Sequence, residues 1–118
     1  MTQAEIQEAV AGHHARNMEL LRQLQEREVS FDEWRTIEHH FWAPSHREAA
    51  LLARALYSKG HLVITICPTD MHDGTKCWNV ETERQESVLQ ATRGDVIEEF
   101  VRMADSLNAV YDGWGTSI

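Results

Sequence analysis

Apolar and polar positions alternate along this chain in two periods, one helical and one of two residues, and the switches between them mark out the elements. From about Thr2 to Glu28 there is no proline, and Ile6, Val10, Asn17, Leu20, Leu21 and Leu24 fall near one face at helical spacing. That spacing predicts a long amphipathic helix with a thin apolar stripe, docked on a domain that occupies the rest of the chain (1–29 and 30–118). Gly12 weakens its middle, by about 1 kcal/mol relative to alanine. After a turn around Ser30 to Asp32, WRTIEHHFW carries the β-branched and aromatic residues of a strand.

A second helix is expected to open at APSHRE, with Ser45 and Glu48 as a reciprocal capping box, and to bury Ala49, Leu52, Ala53 and Leu56 before Gly60 stops it. HLVITIC reads as a short apolar strand with Leu62, Ile64 and Ile66 on one face and Val63 and Thr65 on the other, ended by Pro68. Asp73 and Gly74 suit a tight reversal, and KCWNVET returns with Trp78 and Val80 on a common side. The stretch from Arg84 to Ala91 fits no element. Thr92 is the expected cap of a further helix carrying Val96, Ile97, Phe100, Val101, Ala104 and Leu107, and AVYDGWGT closes as a strand.

The order after the first helix is thus β, α, β, β, α, β. A tight turn joins the middle strands, so the expected fold is α+β, a ferredoxin-like split β-α-β with an antiparallel sheet and both helices on one face. By analogy with that topology the first and last strands are neighbours.

Composition narrows the function. The chain has 118 residues and a formal net charge of −8, enough for one core without a metal or disulfide staple. An acidic chain whose arginines are scattered is badly placed to displace counterions from a nucleic-acid backbone, so the expected partner is a protein with a basic segment and not RNA or DNA. MTQAEIQEAV lacks the basic start and apolar core of a secretory signal, and no run approaches a membrane span. A cytoplasmic, reduced protein is expected, with Cys67 and Cys77 as packing residues.

Within TIEHH, neighbouring side chains of a strand leave on opposite faces. Ile37, His39 and Phe41 are expected toward the helices, while Glu38, His40 and Trp42 face outward. The doublet His39-His40 cannot then grip one ion, and His13-His14, about 100° apart on a helix, cannot either. In the last strand, Tyr111, Gly113 and Gly115 alternate with Asp112 and Trp114, and the glycines suggest a close approach by a helix or another backbone. Asp112 and Trp114 are expected across from Glu38, His40 and Trp42, forming an acidic, aromatic and imidazole patch suited to a protein contact. The rival chemistry is enzymatic: Glu38, His40 and Asp112 as a proton-moving cluster, or His72 with Asp70 and Asp73 as metal ligands in the loop. An immunity-type protein that occupies a toxin is a third possibility.

TIEHH at Thr36 to His40 and YDGWGT at Tyr111 to Thr116 together resemble the bacterial family of regulators of ribonuclease E activity B, the RraB inhibitors, over about Ser30 to Thr116. The resemblance implies a ferredoxin-like sandwich without catalytic activity or cofactor. It further implies binding to the endoribonuclease, through its noncatalytic scaffold region in the best-known member, and restraint or redirection of RNA decay.

Overall fold

A computed structural model describes residues 1–117. Helix α1 spans Gln3–Glu26, strand β1 Arg35–Ala43, helix α2 His46–Ser58, strands β2 Leu62–Asp70 and β3 Lys76–Glu86, helices α3 Val88–Ala91 and α4 Gly94–Ser106, and strand β4 Val110–Thr116. The four strands make one sheet in the order β2-β3-β1-β4, and each pair of neighbours is antiparallel. First and last strands are therefore adjacent, as expected.

One face of the sheet is the floor of the core. Ile37, His39, Phe41 and Ala43 of β1 and Val80 and Thr82 of β3 are buried there, against Leu52 and Leu56 of α2 and Ile97, Phe100, Val101 and Ala104 of α4. Helix α1 packs across α4 and adds Ile6 and Val10 to the same core. Gly94 makes room for it, since a Cβ there would stand 3.2 Å from His14 Nε2. Thr2 caps α1 in a reciprocal box with Glu5, which fixes the start of a helix whose apolar stripe is thin.

Several expectations need correction. Ser45 Oγ accepts from Glu48 N–H, but the Glu48 carboxylate takes Asn108 Nδ2 (3.3 Å) instead of closing the box. Thr92 does not cap α4: its hydroxyl donates back to the Val88 carbonyl (2.8 Å), at the end of α3, and Arg93 occupies the cap position. β2 runs through Pro68 to Asp70, which is tolerated because β2 is an edge strand and needs no donor on its free side. Leu62 and Ile66 do not share a face. A register shift between Val63 and Thr65 sets Leu62 opposite Glu83 and Ile66 opposite Val80, and positions three apart on β3 point to opposite sides. The unassigned stretch from Arg84 is the end of β3 followed by α3, whose start is a capping box between Ser87 and Gln90.

Gly60 behaves as expected. Its φ of 92° lets the chain leave α2 with Gly60 N–H on the Tyr57 carbonyl and His61 N–H on the Leu56 carbonyl, a left-handed stop that non-glycine residues resist.

Candidate docking face on the open side of the sheet

The outer face of the sheet is built from cross-strand rows, because residues directly opposite in an antiparallel pair share a side. Glu38 stands between Glu83 of β3 and Gly115 of β4; His40 between Glu81 and Gly113; Trp42 between Asn79 and Val110. Leu62, Thr65 and Cys67 of β2 extend the same rows. His40 lies 3.7 Å from Glu38 through Nε2 and 3.5 Å from Glu81 through Nδ1, and Asn79 Nδ2 donates to the same Glu81 oxygen (3.0 Å). No lysine or arginine lies in these rows among the described residues. Glu38 and Glu83 face each other directly, a like-charge pairing that mildly weakens the sheet and is relieved by any cation that settles between them.

Trp114 is not on this face. The β1–β4 register shifts between His40 and Phe41: Phe41 pairs with Tyr111, His40 with Gly113 and His39 with Trp114. Asp112 is the extra residue, exposed at a bulge, and Gly113 adopts φ 118° beside it, a region that β-carbon sterics close to most residues. The bulge turns Trp114 inward, where its ring packs against the cluster of Leu24, Ile37, Val88 and Ala91 and its Nε1–H donates to Asn17 Oδ1 of α1 (2.8 Å). Gly113 and Gly115 consequently face outward. Nothing lies within 4 Å of where their β-carbons would be, so no helix or other backbone approaches them.

Beneath the sheet the other half of each motif forms a buried polar cluster. His39 is fully buried, with Nε2 3.5 Å from Glu86 Oε1 and Nδ1 3.0 Å from the Tyr111 hydroxyl. With the Nε2 proton directed at the carboxylate, Nδ1 accepts and Tyr111 O–H donates. Burial and the nearby Glu86 charge raise the Tyr111 pKa, so the phenol remains a donor. Burial pushes the Glu86 carboxyl up, but bonding to His39 and to Arg84 Nε (2.9 Å) outweighs it, and its pKa is held below the ordinary carboxylate value. His61 closes the group, its ring 5.5 Å from that of His39. Burial, with Arg84 and His39 nearby, lowers the His61 pKa to about 4.

Helix α1 is tied in by similar means. His13 Nε2–H donates to the Tyr111 carbonyl (3.1 Å) and Nδ1 accepts from Arg16 (2.9 Å); burial, then the Arg16 charge, lowers its pKa. In the β2–β3 loop Asp73 accepts from Thr75 N–H (3.0 Å) and Oγ1 (2.6 Å), which is turn chemistry. Among the described residues no group of three or more His, Cys, Asp or Glu side chains is arranged to hold a metal ion, and no helix is long and apolar enough to cross a membrane. Cys67 and Cys77 are free thiols, half-buried.

Sequence reasoning missed Glu81, Glu83, Glu86 and His61. The signal for Glu81 and Glu83 was present: in NVETERQE the period of two sets Val80 and Thr82 inward and Glu81 and Glu83 outward.

Comparison with curated proteins returns no significant match. A family model described as regulator of ribonuclease activity B matches residues 14–116, a span that holds the open face, the buried cluster and both motifs. The chain belongs to the RraB family of regulators of ribonuclease activity.

Proposed function

We propose that this chain is a non-catalytic modulator of ribonuclease E that docks, by the open face of its sheet, on a basic segment of the enzyme's scaffold region. One observation carries the reading: Glu38, Glu81 and Glu83 surround His40, beside Trp42, on a sheet face whose rows contain no lysine or arginine. Carboxylates gathered around a half-exposed aromatic attract a cationic partner over a Debye length and repel RNA phosphates. Asp112, exposed at the bulge next to Gly113, adds charge at the border. Trp114 is left out of this surface and acts through the fold.

The strand order, with β3 between β1 and β2 and β4 beside β1, supports the ferredoxin-like arrangement, and the family supports a protein partner in the cytoplasm. His40, held between two carboxylates on an open surface, is a charge network and not the proton-moving centre of an enzyme.

Cleavage of a model RNA by full-length ribonuclease E and by the enzyme lacking its scaffold region tests the reading. The chain is expected to slow the first and leave the second unchanged, and the triple variant Glu38→Gln, Glu81→Gln, Glu83→Gln is expected to lose the effect. Equal inhibition by the triple variant would refute a role for this face.

A further inference from the structure

The free edge of the sheet next to the acidic rows is unusually bare. β2 is bonded to β3 on one side alone. From Leu62 to Cys67 it contains no charged residue and no proline, the two devices that most often protect an edge, although the shift at Val63/Thr65 and Pro68 confine the open stretch. Leu62, Ile64 and Ile66 are 55%, 41% and 36% exposed, Leu62 on the outer face beside Glu83 and Ile66 on the side of Val80, aliphatic side chains that water solvates poorly.

Charge decides what fits there. Glu83 and Glu81 stand directly opposite Leu62 and Thr65, and a strand added to β2 would lie about 10 Å from β3, two strand spacings, within reach of a long cationic side chain crossing β2. At one end of the edge, Leu62, Gly60, Glu83, Gln85 and Thr36 line a shallow groove of about 240 Å³. Leu62 offers an apolar surface to the stem of a lysine or arginine there, and Glu83 a carboxylate to its head. Arg84 also lines the groove, with its guanidinium engaged by Glu86 and the Lys59 carbonyl. Pairing with a second copy would instead join two acidic faces, each on a chain of net charge −8, into one surface.

We propose that an extended partner segment, with basic side chains alternating with apolar ones, adds to β2 as a fifth strand. Backbone bonds give it register, its apolar side chains cover Ile66 on the inner side of the edge, and its cations pass over Leu62 and Thr65 to reach Glu83 and Glu81. This rests on the acidic face being the docking surface, and the test separates the two.

The probe is a nine-residue peptide of alternating lysine and valine, with two versions N-methylated on one or the other set of alternate amides. Binding is followed by calorimetry, and amide exchange of the intact protein by NMR. Strand addition predicts that alternate amides between Val63 and Cys67 exchange at least tenfold more slowly in the complex. It also predicts that one N-methylated version binds at least tenfold more weakly while the other is little changed, and that Ile64→Lys weakens binding without moving the thermal midpoint. If the peptide binds in a manner sensitive to Glu81→Gln and Glu83→Gln, but with no protection on β2 and equal affinity for both N-methylated versions, strand addition is wrong and the acidic-face reading stands. No binding, or binding indifferent to those glutamates, overturns both. Slow β2 exchange without peptide, together with a dimer in sedimentation, assigns the edge to a second copy and overturns the proposal.

Discussion

His39 and His40 are neighbours with the same side chain, yet they belong to different parts of the molecule. His39 is fully buried among Glu86, Tyr111, His61 and Phe100; His40 is part-exposed between Glu38 and Glu81. The strand pleat alone separates them. Removing His39 opens a cavity and leaves the buried Glu86 carboxylate with Arg84 as its remaining partner, whereas removing His40 leaves groups that water can solvate. One motif therefore supplies the fold on the inside and, in the proposed function, the contact on the outside. YDGWGT divides in the same way, with Tyr111 and Trp114 inside and Asp112 and the glycines outside.

The largest effect that would break this division is at His39. His39→Ala is expected to destabilise the fold by about 3 kcal/mol, from the cavity and the lost partner of Glu86 together, while His40→Ala stays within about 0.5 kcal/mol. Urea unfolding of both variants checks this; equal losses would erase the contrast between faces.

Next in size is Trp114. Trp114→Ala should lose about 3 kcal/mol, and Trp114→Phe, which keeps much of the packing but not the bond to Asn17, about 1 kcal/mol. Amide exchange in α1 should quicken in both, because that bond is a tether between α1 and β4. A Trp114→Ala protein with unchanged stability and weakened partner binding would return the residue to the surface.

Acid sharpens the comparison further. His61 has a folded pKa of about 4, below its unfolded value, so between about 4 and 6.5 the unfolded chain binds a proton that the folded one refuses. Stability then rises with pH across that window, and lowering the pH from 7 to 4.5 should remove about 2 to 3 kcal/mol through this group. His61→Phe should flatten the slope seen in urea unfolding. An unaltered slope would place the acid sensitivity elsewhere.

The smallest change in stability is expected on the outside. Glu81→Gln with Glu83→Gln should alter unfolding by about 0.5 kcal/mol or less, with a gain where the Glu38–Glu83 repulsion is relieved, yet weaken a basic partner about tenfold. Calorimetry at two salt concentrations checks the electrostatic origin, since screening should shrink the difference between the parent chain and the variant.

Helices α1, α2 and α4 and the inward face of β1 were legible in the sequence, because burial imposes a period, in β1 the one that Ile37, His39 and Phe41 keep. The face of Trp114 was misread for one local reason. A one-residue bulge inverts every side chain after it, and its marker is the Asp112-Gly113 pair inside the strand, whereas Gly113 and Gly115 on one face suggest close packing instead. The same kind of slip at Val63 to Thr65 split Leu62 from Ile66. The acidic rows are only half legible because the strand expected at KCWNVET ends at Thr82, which puts Glu81 on an outward position and leaves Glu83 beyond it. His61 and Glu86 could be identified only with tertiary contacts, since each meets His39 from a different element.

The most direct measurement is a calorimetric titration of a basic segment from the scaffold region of ribonuclease E into the parent chain and into the Glu38→Gln, Glu81→Gln, Glu83→Gln variant, with thermal unfolding of both. An outward-facing docking site predicts affinity lower by about thirtyfold or more, on the order of 2 kcal/mol, with the melting midpoint preserved. Unchanged affinity in a folded variant would contradict it.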